Sequence, residues 1–465
     1  MTGYPKPPMA PLFGNRAVCE THPMASDDIS REFPIEAADV TNARVLLYAM
    51  NYAPELTGCG RYTGEMGAEL VQRGAIVTVV TTPPHYPGWR VQTGHVNRYS
   101  NETLAGQRII RCPTYLRDAM GGIHRMIAPV AFSLTSLPVI MWQLLFRRQD
   151  MLICVEPTLF AMPAALLAAR LRGTPTLLHV QDLEVDAAFE VGHLRPPIWL
   201  KRVAYAFERC ILRGFDSVVT ISEGMRMRLV AKGLDPARVM LIRNWVDLDH
   251  IRPLDAPLSY RAMIDVPEDR FVILYSGNLG PKQGLDTLGR AAARMAAEAQ
   301  ETGTDVLLVI AGDGPERDRL MHDYGHLPNI AFRPLQPEAH LGAFLNMADA
   351  HVIPQLAGAT DFALPSKLAG ILASGRSLIV MAEPTQEIAR FVGDSAIVIP
   401  PEDDARLVDA IRSVQAADPP QRRAARLRLA ATLSRGGAFD RLTGIIGHLL
   451  GRRTSATPGS PHVAG

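Results

Sequence analysis

The feature that most constrains this chain is a rhythm. Short apolar runs alternate with helix-length segments, and the alternation starts twice. Val45-Leu46-Leu47-Tyr48-Ala49-Met50 leads into a Gly-containing loop and then a helical segment reaching Leu70. Ala75–Val80, Met151–Val155, Thr176–Val180 and Ser217–Ile221 have the same character. The pattern begins again at Phe271, with strands expected at Val272–Tyr275, Val306–Ile310, Ala350–Ile353 and Leu378–Met381. Runs this short, apolar on consecutive residues, read as strands buried on both faces, which a parallel sheet clad by helices provides. The fold class is therefore α/β, with two Rossmann-like domains in tandem. An internal echo supports the repeat: VLLYAMN (Val45–Asn51) and VILYSGN (Val272–Asn278) each run from strand to loop to helix.

A chain of 465 residues also exceeds one ordinary core, since domains cluster at about 100–200 residues. Residues 1–42 lack sustained periodicity and read as a flexible extension, 43–250 as the first domain, 251–450 as the second, and 451–465 as a disordered tail. The Pro- and Asp-containing stretch Asn244–Glu268 is the expected hinge. In open parallel sheets ligands sit beyond the carboxyl ends of the strands, so two such edges facing each other enclose a central cleft.

Composition excludes more than it selects. Net charge is +1, which argues against a nucleic-acid partner. The five cysteines (Cys19, Cys59, Cys112, Cys154, Cys210) are an odd, widely spaced set without a CxxC pair. Neither a disulfide framework nor a structural zinc site is expected. No basic region followed by an apolar stretch opens the chain, so the cytoplasm is the expected compartment.

Three Gly-rich loops fall at predicted strand ends. The first, Asn51–Gly60 followed by Arg61, places Gly58 and Gly60 before a helix, where backbone can approach an anion. Half of a dinucleotide fingerprint is present, but the second strand ends in Thr81-Thr82-Pro83-Pro84 and lacks the acidic residue that grips a ribose. The second loop, Ser276–Gly284, sets Gly277, Asn278, Lys282 and Gln283 at a helix start, a combination suited to a diphosphate. The third is Ala311-Gly312-Asp313-Gly314-Pro315-Glu316, also opening a helix. Asp247-Leu248-Asp249 matches a metal-binding DxD in form only, since it lies in the hinge. No metal or cofactor is expected.

The motifs NYAPELTGCGRYTGEM (Asn51–Met66), TTPPHYPGW (Thr81–Trp89), LLHVQDLEVDA (Leu177–Ala187), LYSGNLGPKQGLD (Leu274–Asp286) and LPSKLAGILASG (Leu364–Gly375) together resemble the family 4 retaining glycosyltransferases of the GT-B fold. Within that family the chain looks most like the colanic-acid type fucosyltransferases of bacterial exopolysaccharide clusters. The resemblance spans roughly residues 44–435. It implies transfer of a sugar, fucose from GDP-fucose in the first instance, to a polyprenyl-diphosphate-linked saccharide. A UDP-sugar donor or a non-catalytic nucleotide-sugar-binding protein are the alternatives. It also implies roles for residues: Gly58 and Gly60 against the donor, with Arg61 beside them, and His179 near the transferred sugar. Asp182 and Glu184 would face acceptor hydroxyls, with Asp182 counted among the catalytic set. Lys282 and Lys367 would neutralise the diphosphate, aided by Gly277, Asn278, Gln283 and Gly312. Asp361, Pro365 and Ser366 would complete the seat.

The sequence departs from the family in two places. Asn278 stands where an Arg is common, and Lys282 is displaced by one position, with Gln283 where the Lys usually falls. The usual pair of Glu eight residues apart maps onto Thr360 and Leu368. Retention in this family is explained by same-face substitution, in which the leaving diphosphate deprotonates the acceptor. The protein's contribution is then electrostatic.

One apolar stretch stands apart. Met126–Phe146 is flanked by Arg125 and by Arg147-Arg148 and approaches the roughly 20 residues that span a bilayer. Its prolines and hydroxyl residues make it a poor spanning helix. It reads either as a buried helix pair or as a peripheral surface meeting a membrane and a lipid-linked acceptor.

Overall fold

The computed structural model describes residues 36–55, 58–117, 123–190, 197–254, 258–302, 306–357 and 364–456. The first domain carries strands β1 (Arg44–Tyr48), β2 (Ile76–Thr81), β3 (Ser100–Leu104), β4 (Gln107–Arg111), β5 (Met151–Glu156), β6 (Thr176–Val180), β7 (Ser217–Thr220) and β8 (Val239–Leu241). Its helices are α1 (Gly58–Gln72), α2 (Ile123–Phe146), α3 (Met162–Arg172), α4 (Glu184–Glu190), α5 (Ile198–Leu212) and α6 (Glu223–Ala231). The strands form one sheet in the order β3-β4-β2-β1-β5-β6-β7-β8. Only the β3–β4 pair is antiparallel. The strand order reverses between β1 and β5, so the crevice for a ligand opens there.

The second domain follows after α7 (Leu258–Met263), with β9 (Phe271–Ser276), α8 (Asp286–Thr302), β10 (Val306–Ala311), α9 (Arg317–Tyr324), β11 (Ile330–Arg333), α10 (Leu341–Asn346), β12 (Ala350–Ile353), α11 (Lys367–Ser374), β13 (Ser377–Met381), α12 (Glu387–Val392) and β14 (Ile397–Ile399). Its six parallel strands run β11-β10-β9-β12-β13-β14. Here the reversal falls between β9 and β12. All nine strands expected from the apolar runs are present; β3, β4, β8, β11 and β14 are additional. Those five were hidden because they are short or polar: β3 is SNETL and largely solvent-facing.

The chain crosses between domains twice, and the second crossing was not expected. After α13 (Asp404–Ala416) and α14 (Pro420–Thr432), the long α15 (Arg435–Ala456) leaves the second domain. Its Phe439, Leu442, Ile445, Ile446 and Leu449 share a core with Tyr62, Met66 and Leu70 of α1 and with Val45 and Leu47 of β1. Residues 435–450, counted with the second domain from sequence, therefore belong to the packing of the first. The two crossings are tied where Val246 N–H donates to Leu433 O (2.9 Å) and Arg435 N–H to Val246 O (2.9 Å). Trp245 wedges between Tyr62 (5.4 Å, edge-on) and Phe439 (4.6 Å). Residues 36–42, read as extension, also join the fold: Val40 is buried and Asn42 N–H bonds Gly74 O. At the other end Gly451 does not stop α15, which continues to Ala456. Residues 1–35 and 457–465, the rest of the expected extension and tail, lie outside the described residues.

The apolar stretch is a single helix, α2, rather than a pair, despite Pro129 and Pro138 inside it. It is long and apolar enough to cross a membrane by length and composition. One face nonetheless packs on the sheet through Ala128, Phe132, Ile140 and Leu144.

Candidate functional site

On the first-domain rim, one carboxylate organises the Gly-rich loop. Glu55 is buried; its Oε1 accepts from the backbone N–H groups of His85 and Tyr86 (2.9 Å each), and its Oε2 accepts from Asn51 Nδ2 (3.0 Å). A buried carboxylate needs such donors, and these fix the TTPPHYP turn against the first loop. Gly60 has no room for a side chain because a Cβ there would strike Glu55, while Gly58 takes φ +64 as α1 begins. Space for Glu55 thus accounts for Gly60. Sequence reasoning quoted Glu55 within its motif but gave it no role; a carboxylate inside an otherwise neutral loop was the available signal.

Arg61 is engaged within the protein. Its guanidinium pairs with Glu65 at 2.8 Å and, across the cleft, with Glu338 at 3.3 Å. Glu65 in turn accepts from Trp245 Nε1 at 2.6 Å. The structure therefore gives Arg61 contacts that join the domains at the crossing segment.

His179 sits at the carboxyl end of β6, fully buried, and burial pulls its pKa down to about 4. The ring is neutral at physiological pH. Its Nε2 lies 3.3 Å from Gln181 Nε2, and Gln181 exchanges two 3.1 Å bonds with Asn244. With Nε2 accepting from the amide, the proton resides on Nδ1, which has no hydrogen-bond partner among the described residues. A buried N–H donor without a partner is costly unless a ligand completes it. Asn244, at the start of the crossing segment, was not singled out from sequence. No local motif announces a residue whose role depends on a partner 63 positions away.

Asp182 and Glu184 part company. Asp182 lies open at the cleft, where burial by the surrounding walls raises its pKa and Lys282 of the second domain offsets part of that rise. The charge of Lys282 thus acts on Asp182 from the facing domain. Glu184 instead accepts from Leu159 N–H at 3.0 Å, its pKa raised by burial. Behind it stands Glu156, fully buried at the end of β5, with Oε2 unpartnered among the described residues. Burial, with Glu184 and Glu208 adding to it, holds that carboxyl well above the usual range.

On the second-domain rim the loop after β9 folds against the loop after β10. Gly277 N–H bonds Ala311 O, and Leu279 N–H bonds Asp313 O (2.9 Å each). A Cβ on Gly312 would overlap the carbonyl of Gly277. Gly312 serves loop-on-loop packing. Asn278 O accepts from Tyr275 OH at 2.7 Å, and Gln283 N–H closes a turn on Gly280 O at 3.1 Å, leaving Lys282 exposed beside it.

Between β9 and β12, at the strand reversal, sits Lys367. Its Nζ is buried without a hydrogen-bond partner among the described residues and lies 3.8 Å from the centroid of the Tyr275 ring. Burial pulls its pKa down to about 7. Gly277, at φ +136, leaves room for it: a Cβ there would come within 3.0 Å of Nζ. Ser366 holds the N-cap position of α11 without a side-chain capping bond. Pro365 and Ser366 line an interdomain crevice with Arg243 and Asn244. The PSK turn and the His179–Gln181–Asn244 chain thus flank the same crevice. Asp361 lies outside the described residues.

A further interdomain contact was invisible in the sequence. Glu387, buried at the start of α12, accepts from Glu223 N–H (3.0 Å) and Gly224 N–H (2.8 Å) at the amino end of α6. It also pairs with Arg243 at 2.9 Å. In the DxD-like stretch, Asp247 Oδ1 accepts from the N–H groups of Asp249 (3.0 Å) and His250 (3.2 Å) and so shapes the crossing turn.

Comparison with known proteins agrees with this layout. Residues 57–245 match the family described as "Glycosyl transferase 4-like domain", and residues 270–416 match "Glycosyl transferases group 1". An Escherichia coli (strain K12) protein named "Putative colanic acid biosynthesis glycosyl transferase WcaI" is 37% identical over 381 residues, covering 79% of this chain and 91% of the relative. Among solved structures, a sucrose-phosphate synthase from Thermosynechococcus elongatus superimposes with TM-score 0.65 at 15% identity, covering 89% of this chain and 100% of that one. Anabaena HepE in complex with UDP and glucose gives TM-score 0.59 at 12% identity, over 89% of this chain and 100% of that one. At those identities the two structures establish the shared two-domain GT-B fold.

Proposed function

Because this chain belongs to the glycosyl transferases that join a 4-like first domain to a group 1 second domain, we propose that it carries a nucleoside-diphosphate sugar on its second domain and transfers the sugar to a saccharide bound by the first. The observation that carries the site assignment is the Lys367 ammonium, buried at the β9/β12 reversal with no hydrogen-bond partner among the described residues. A cation held there against its desolvation cost is poised for an anion, and a diphosphate supplies one beside a helix start.

In this reading the glycosidic bond from the sugar to the diphosphate breaks as the bond to the acceptor oxygen forms on the same face. The acceptor proton passes to the departing diphosphate oxygen. Lys367 and Lys282 offset the charge gathering on that group in place of a bound metal, and the free N–H of His179 steadies the sugar. Asp182 orients acceptor hydroxyls at the cleft mouth.

For donor and acceptor we keep what the sequence resemblance implies, fucose from GDP-fucose moved with retention to a polyprenyl-diphosphate-linked saccharide in exopolysaccharide synthesis; the colanic-acid name of the Escherichia coli relative supports the setting. Calorimetry with GDP and UDP tests the seat, and Lys367→Met is the control. Tight GDP binding that the substitution weakens supports the reading, and preference for UDP moves the donor to that class. Nucleotide binding with no transfer from any donor would leave a binding protein. Failure to bind either nucleotide overturns the reading.

A further inference from the structure

We propose that the outer helical layer of the first domain is a docking face for an anionic lipid bilayer, with α2 lying in the plane of the membrane surface. Helix α2 is largely apolar but only half covered. Phe132, Ile140 and Leu144 enter the core, while Ile127, Val130, Leu134, Leu137, Trp142 and Phe146 stay exposed along one stripe. Leu134 and Phe146 are each 67% exposed. The stripe does not end with α2. The adjoining α3 presents Leu167 and Leu171 (57% and 69% exposed), and α5 presents Ile198, Trp199 and Val203. All three helices contribute side chains to one core on the same side of the sheet, α5 through Ile211 and Leu212.

Local contacts join these patches to the cleft. Ser133 Oγ donates to Phe160 O at 2.8 Å, and Phe160 stacks on Phe207 of α5 at 5.8 Å. Phe160 follows the carboxyl end of β5 by four residues, so the apolar face reaches the rim where an acceptor enters. Exposed apolar patches larger than a few hundred Å² are uncommon on monomeric soluble proteins and mark interaction surfaces.

Charge selects the occupant. Neither α2 nor α3 contains Asp or Glu. The one carboxylate of α5, Glu208, is buried and paired with Lys232 at 2.6 Å. Asp150, just beyond α2, is held by Arg148. Around the apolar residues stand exposed Arg147, Arg148, Arg170, Arg172, Arg202 and Arg209. Apolar side chains within a cationic border match an acyl-chain boundary beneath anionic headgroups. A symmetric contact with a second copy would place this same carboxylate-poor surface against itself and bring arginines together.

The proposal rests on the transferase reading for its purpose, delivery of a lipid-linked acceptor to the cleft, but its test is separate. Full-length protein is floated with vesicles of phosphatidylethanolamine and phosphatidylglycerol, and with vesicles of phosphatidylcholine alone. The expected result is flotation with the anionic vesicles, weakened by salt. A combined Leu134→Gln, Leu137→Gln, Leu171→Gln variant should lose about tenfold or more in partitioning while GDP binding by calorimetry is unchanged. Arg170→Gln with Arg172→Gln should lose the preference for anionic lipid. The proposal is overturned if the wild-type protein stays unbound at low salt, or if the triple variant floats equally well. A two-chain mass by light scattering that the triple variant reduces to one chain would make the face a dimer contact and overturn it as well. Wild-type protein that stays unbound to vesicles yet binds nucleotide rejects only the docking face; wild-type flotation without nucleotide binding rejects only the transferase reading.

Discussion

The Lys367 ammonium lies 3.8 Å from the centre of the Tyr275 ring, a cation resting on an aromatic face with no hydrogen-bond partner among the described residues. Burial sets its pKa at about 7 in the free protein. A bound diphosphate favours the charged form, so binding takes up a proton whenever the pH is above that value. Affinity should therefore fall through this group by about tenfold between pH 6 and pH 8. Calorimetry at the two pH values with wild type and Lys367→Met isolates the effect from the nucleotide's own titration. The substituted protein should bind more weakly at pH 6 and show a flatter profile; parallel profiles would remove Lys367 from the seat.

His179 gives a second pH test, of opposite sense. Its pKa of about 4 lies below the ordinary 6.5. The neutral ring favours the folded state above pH 6.5, and that contribution is lost as pH falls toward 4. Turnover should show no acid limb near 6.5 from this residue. His179→Ala should lower turnover by about 10²-fold or more, as loss of a transition-state donor does. Circular dichroism should show the fold retained, and turnover within twofold of wild type would sink the assignment.

Glu387 joins the domains through two N–H groups and Arg243. Truncating it removes the carboxylate that Arg243 pairs with inside the interface. Glu387→Ala should cost about 2–5 kcal/mol, the range for one partner of a buried, hydrogen-bonded charge pair. Small-angle scattering should then show a wider particle and calorimetry weaker nucleotide binding, because the closed cleft is less populated. Stability and radius equal to wild type would make the contact incidental.

Gly312→Ala tests the loop pair. The added methyl group meets the backbone carbonyl of Gly277 rather than a movable side chain. Overpacking of this kind costs about 1–3 kcal/mol, and because Gly277 also borders Lys367, nucleotide affinity should fall with it. Denaturant midpoints and calorimetry on one preparation check both. An unchanged midpoint would show that the loops have slack.

How much of this was legible in the sequence follows from range. Buried parallel strands announce themselves by local apolar runs, and the nine expected from such runs are present. Lys282 stood out beside glycines at a predicted helix start, a local signal too, whereas His179, Asp182 and Lys367 were named through the resemblance to the family. What could not be read were relationships set by distant residues. Glu387 meets α6 from 163–164 positions away, and α15 returns to a core built largely from residues near the chain's start. Arg61, expected to face substrate, is drawn into ion pairs with Glu65 and Glu338, and only the second of those depends on the domains meeting. Gly60 and Gly312 drew notice as glycines, but the atoms that require them, in Glu55 and Gly277, appear only in three dimensions.

The central claim is that the cleft between Lys367 and His179 transfers a sugar from a nucleoside diphosphate. Its most direct test incubates the full-length protein with a panel of labelled GDP- and UDP-sugars and extracted lipid-linked acceptor, following label in the lipid phase and free nucleoside diphosphate together. The account predicts that label from one donor class, GDP-fucose foremost, moves into lipid with matching nucleotide release, and that Lys367→Met and His179→Ala lose both. Release of nucleotide from no donor, or transfer undiminished in both variants, would contradict it.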